Sequence, residues 1–134
     1  MKAQAFSVIK WVACLLAAQW MGVSVPMQNV LICLTMLMAI DYFSGLVCAV
    51  ITQTLSSRVG LIGLCKKVLI LCLVLMTHLL EKAMSVELHL EMGCAMAFCV
   101  NESLSIVENS AKAGIPIPEK LSKLLAALKD KEDE

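Results

Sequence analysis

The residues with the most chemical content in this chain are ionisable side chains set inside apolar surroundings. Asp41 stands midway along an apolar stretch from Asn29 to Ile51. An ionised carboxylate at the centre of a membrane-crossing helix costs about 2.5 to 3.5 kcal/mol on insertion scales, so Asp41 must face protein or water, or carry a proton. Ser44, Gly45, Cys48 and Ala49 follow at helical spacing, and small residues three and four apart let another helix approach closely. Two outcomes fit: a polar, tightly packing face that drives self-association or lines water, or one buried hydrogen bond within a monomeric bundle. A second polar set is Asn101, Glu102 and Ser105, and a third is Lys66 with Lys67. Counted inward from the ends of their apolar stretches, the lysines and Glu102 lie at a similar depth, near 8 Å by helix rise. That match allows an ion pair among Lys66, Lys67 and Glu102. The lysines have a competing option in snorkelling to the headgroups, whereas Glu102 is too short to reach far and calls for a protein partner.

The remaining polar residues offer less. Gly93 and Ala97 form a further small-residue pair, and His78 and His89 lie near Glu81, Glu87 and Glu91 without the spacing of a metal site. No nucleophile elbow, phosphate loop or His-Glu-x-x-His pattern occurs, so the sequence points to no catalytic residue, no metal and no cofactor. The seven cysteines (Cys14, Cys33, Cys48, Cys65, Cys72, Cys94, Cys99) are odd in number, contain no Cys-x-x-Cys pair and lie mostly in apolar stretches. They read as small packing residues rather than a disulfide framework. The formal net charge of zero says nothing about nucleic acid, and no basic stripe interleaved with aromatics appears, so nucleic acid is not expected as a partner.

The elements that must position these groups are apolar helices. With 60% apolar and 16% charged residues in 134, the chain is too oily for a water-soluble domain of that size. Its charges cluster between apolar stretches of about 20 residues, the length that crosses a hydrocarbon core about 30 Å thick. The predicted fold class is therefore all-α and integral to the membrane, with four transmembrane helices near 6–25, 29–51, 61–80 and 88–107. The first carries Trp11 and Trp20 near its ends and stops at Pro26. A signal-peptide reading of it is weakened by Lys10. Three spans, with the first cleaved or lying in the interface, is the alternative.

Lys2, then Arg58, Lys66 and Lys67, then Lys112, Lys120 and Lys123 mark alternate connecting segments, which places both termini and the second connector in the cytoplasm. Residues 1–110 thus form the transmembrane domain. Residues 111–134 form a cytoplasmic amphipathic helix, with Leu121, Leu124, Leu125 and Leu128 on one face, and a charged tail. The apolar face suits membrane lipids or the protein's own bundle.

Three segments carry a resemblance. They are Ile40-Asp41-Tyr42-Phe43-Ser44-Gly45-Leu46; then Ser56-Ser57-Arg58-Val59-Gly60-Leu61-Ile62-Gly63 running into Lys66-Lys67; then Asn101-Glu102-Ser103-Leu104-Ser105-Ile106-Val107-Glu108-Asn109, continuing into Lys112-Ala113-Gly114-Ile115-Pro116-Ile117-Pro118. In order and spacing these resemble the toxin-secretion and phage-lysis holin family of Gram-positive bacteria and their phages. The resemblance implies a homo-oligomer in the bacterial cytoplasmic membrane that opens lesions for a peptidoglycan hydrolase (an endolysin) or a toxin. Glu87, His89 and Glu91 depart from the family pattern at the start of the fourth span.

Overall fold

The computed structural model describes residues 22–85 and 87–130. Four helices follow one another: α1 (Val25–Ile51), α2 (Ser57–Met84), α3 (Leu90–Lys112) and α4 (Glu119–Asp130). The first three are long and apolar enough to cross a membrane. At 27, 28 and 23 residues they extend about 40, 42 and 35 Å, beyond the roughly 30 Å of hydrocarbon. They correspond to the second, third and fourth candidate spans. Most of the first candidate span, 6–25, lies outside the described residues, so the described part of the chain carries three spans.

Local chemistry sets the helix ends. Pro26 occupies the first turn of α1, where its missing N–H forfeits nothing. At the other end the Thr52 hydroxyl donates to the Cys48 carbonyl at 2.8 Å, and Gln53 turns the chain with φ 56°. The connector from Thr52 to Ser56 then leads into α2. α3 ends in a Schellman motif: Gly114 is left-handed at φ 89°, the Ile115 N–H donates to the Ser110 carbonyl, and the Gly114 N–H to that of Ala111, both at 3.0 Å. Pro116 and Pro118 prevent the helix from resuming, and α4 starts one residue after Pro118.

α1 packs chiefly along α3; α2 leans on α3 and meets α1 least. The seam is readable as a heptad on α1: Met27, Leu31, Leu34, Met38, Asp41, Gly45 and Cys48 are spaced alternately four and three apart. Met27 and Leu34 are fully buried, and with Met38, Val74 and Ala95 they form the core. The opposite faces, with Ile32, Met36, Phe43, Leu61, Leu64 and Leu69, are exposed and apolar. A surface of that kind is the one a bilayer covers. On α4, Leu121, Leu124 and Leu128 are likewise exposed, while the helix runs against α3.

Candidate functional site: a buried ion cluster between three helices

One cluster joins all three long helices. The Lys67 ammonium donates to Asp41 Oδ2 at 2.7 Å and to Glu102 Oε2. Asn109 Nδ2 donates to Asp41 Oδ1 and to Ser44 Oγ, each at 3.1 Å, and Ser44 Oγ donates to the Asp41 carbonyl at 2.9 Å. Gly45 belongs to the same arrangement by what it lacks, since a Cβ there would stand 3.4 Å from Asn109 Nδ2. The side chains of Lys67, Asp41 and Glu102 are only 12%, 15% and 8% exposed, so their charges lean on one another, and Asp41 also on Asn109, more than on solvent.

Helix geometry brings these residues to one level. Asp41 lies ten residues before the end of α1 at Ile51, Lys67 ten after the start of α2 at Ser57, and Glu102 ten before the end of α3 at Lys112. The helices alternate in direction, so the three side chains meet about 15 Å along their axes. Counted from the helix ends this exceeds the roughly 8 Å read from the apolar stretches, because α2 begins before, and α3 ends after, those stretches; with the roughly 6 Å overhang of α2 removed, Lys67 lies about 9 Å into the hydrocarbon. Two carboxylates share one ammonium, which leaves one formal negative charge when all three are ionised. The arrangement contains no nucleophile with an activating base; what it can do is hold helices together, hold a proton, or present charge to water if the bundle opens.

The predicted residues fall into different surroundings. Asp41, Ser44, Gly45, Glu102 and Lys67 meet in the cluster. Lys66 is exposed and has no ion pair among the described residues; one step along α2 turns it about 100° away from Glu102. Asn101 is exposed for the same reason on α3, and Ser105 is half-buried outside the hydrogen-bond network. Asn109 was missed from sequence. Its signal was the seven-residue step from Glu102, which returns to the same helix face.

At the opposite end of the bundle, His78 Nδ1 pairs with Glu91 Oε2, joining α2 to α3. Glu81 accepts the backbone N–H groups of His89 at 2.6 Å and Glu91 at 3.3 Å, so it caps the start of α3. No group of metal-ligating residues occurs among the described residues, and the six cysteines there are free; Cys14 lies outside them. A cavity of about 380 Å³ separates α1 from α2 above the ion cluster, with Asp41, Glu102 and Asn109 on its floor.

The three apolar helices thus enclose a charged network at bilayer depth. Residues 17–130 match the bacteriophage holin family. The chain belongs to this family. Holin-family proteins are not enzymes, which accords with a site built of paired charges. The chain is also similar to an uncharacterized protein of Halalkalibacterium halodurans, 37% identical over 131 residues, covering 94% of this chain and 97% of that one. An uncharacterized 14.9 kDa protein of Clostridium perfringens is 35% identical over 102 residues, covering 75% and 77% of the two chains. An uncharacterized protein of Clostridium acetobutylicum is 31% identical over 102 residues, covering 75% and 82%. No solved structure matches. Family membership and the three apolar helices together make the chain a holin-like, multi-pass membrane protein.

Proposed function

We propose that the protein acts as a holin of the bacterial cytoplasmic membrane: copies accumulate with the C-terminus in the cytoplasm, associate, and above a critical density open lesions that pass a peptidoglycan hydrolase or a toxin. The observation that carries this is the Asp41–Lys67–Glu102 cluster, lodged at bilayer depth in a bundle whose outer surface is apolar. In the closed bundle the charges satisfy one another. When helices of several copies rearrange around a lumen, the same charges gain water, so the open state costs less than it would for an all-apolar seam.

The Asp41→Leu substitution tests this. Lys67 and Glu102 remain paired, so the variant inserts and folds, but the seam loses one of its charges and its Asn109 contact. Expression together with a cytoplasmic peptidoglycan hydrolase, followed with a membrane-potential dye, gives abrupt depolarisation and lysis for the parent and a steady potential for the variant. Lysis by the variant at the parent's rate overturns the assignment.

A second reading, a non-lytic scaffold or transporter accessory subunit, draws support from one observation: the polar residues of the cluster find their partners within a single chain. It differs in outcome, since the parent protein itself then leaves the potential unchanged at high membrane abundance.

A further inference from the structure

The cleft between α1 and α2 is built from small and apolar residues, with cationic side chains beside it. Ala49 on α1 and Gly60 and Gly63 on α2 line it, Leu46 and Val59 add apolar wall, and a Cβ on Gly63 would meet nothing within 4 Å. At about 380 Å³ the space is more than twice the roughly 150 Å³ apolar cavity that stays dry and takes a benzene-sized guest. The polar atoms on its floor are occupied: Lys67 holds Asp41 and Glu102, and Asn109 holds Asp41 and Ser44. Between that floor and the hydroxyls of Tyr42, Thr54 and Ser56, which also line the space, a hydrocarbon chain finds apolar wall.

Among the described residues, the charges near the cleft that lack an ion pair are cationic. Lys66 lines the cleft and Arg58 stands in the first turn of α2; both are exposed and neither has an ion pair among the described residues. Helix α2 exceeds the hydrocarbon thickness by about 12 Å, so with an even overhang Lys66 starts about 7 to 8 Å below the headgroups. Side chains on a helix lean toward its N-terminus, which for Lys66 is toward that boundary, and its long stem brings the ammonium to phosphate level. Basic pockets between transmembrane helices are sites where anionic headgroups bind.

We propose that this cleft binds one anionic phospholipid, with an acyl chain between α1 and α2 against Leu46 and Gly63 and its phosphodiester accepting hydrogen bonds from Lys66 and Arg58. The site does not depend on hole formation. Its test uses the full-length chain with Gly63→p-benzoylphenylalanine, where the probe enters open space, in vesicles of equal phosphatidylglycerol and phosphatidylcholine. Ultraviolet cross-linking followed by mass spectrometry yields phosphatidylglycerol adducts several-fold in excess over phosphatidylcholine, and Lys66→Gln with Arg58→Gln returns the ratio to that of the bulk lipid. A bulk ratio in the parent, no change in the double variant, a cross-link to another part of the same chain, or a cross-linked dimer each overturns the proposal. Spin-labelled lipids supply a second measurement on the unmodified protein: a motionally restricted component selective for phosphatidylglycerol, lost in Gly63→Trp. Equal restriction of both lipids overturns it as well. Because lysis enters neither readout, failure here leaves the holin reading standing.

Discussion

Lys66 and Lys67 are adjacent, chemically identical and opposite in their surroundings, and the difference is measurable as stability. Lys67 compensates two buried carboxylates, whereas Lys66 is exposed. Removing one member of a buried ion pair leaves its partner's charge uncompensated, at a cost of about 3 to 5 kcal/mol. Lys67→Met is therefore expected to lose about that much in reversible unfolding in mixed detergent micelles, while Lys66→Met changes the midpoint little. Equal effects of the two substitutions would show that the cluster contributes nothing to holding the helices. The sequence allowed an ion pair between Glu102 and a lysine because the depths matched along their stretches. It did not distinguish the lysines, since that depends on how α2 is rotated about its axis, and rotation is decided by packing against α3. Asn109 was hidden for another reason: Glu108 to Lys112 looks like the polar end of a span, yet the helix carries on through it and brings the amide back over Asp41.

At the scale of elements, what was legible was the apolar length. The three described spans lie where the hydropathy places them, and each is longer than its apolar stretch because helix ends beyond the hydrocarbon meet a hydrated interface where polar side chains are welcome. The last span was read as ending near 107, whereas the helix runs on to Lys112 and stops at Gly114, which supplies the left-handed residue while Pro116 and Pro118 block continuation. The cap at the start of α3 was not readable, because it comes from α2. Glu81 reaches across the turn to the N–H groups of His89 and Glu91, and His78 of the same helix pairs with Glu91, so the end of α2 caps and anchors the start of α3. With Glu81→Ala those donors lose their acceptor. Hydrogen exchange in detergent then quickens at the amides from His89 to Gly93 and stays unchanged at the start of α2, from Arg58 to Leu61. Unchanged protection across His89 to Gly93 would mean that α3 starts without its neighbour's carboxylate.

For the whole molecule, the question is what one bundle presents to the next. The charged cluster is enclosed, so it supplies no contact in the closed state, and most of the outer surface is aliphatic and equally content with lipid. Among the described residues Asn101 stands out as an exposed side-chain amide inside a span: it is the twelfth of 23 residues in α3, at mid-bilayer depth. An amide in hydrocarbon lacks hydrogen-bond partners, and a second copy offers the same amide in return. Interhelical hydrogen bonds of this type contribute about 0.6 to 2 kcal/mol, or roughly threefold to thirtyfold in an association constant. Asn101→Leu is accordingly expected to unfold like the parent but to require a correspondingly higher protein-to-lipid ratio before energy transfer appears between fluorescently labelled copies in vesicles. The onset of lysis should be delayed in parallel, since assembly precedes opening. Association at the parent's ratio would place the contact on another face and remove Asn101 from the mechanism, leaving the cluster's role in opening to be judged by Asp41→Leu alone.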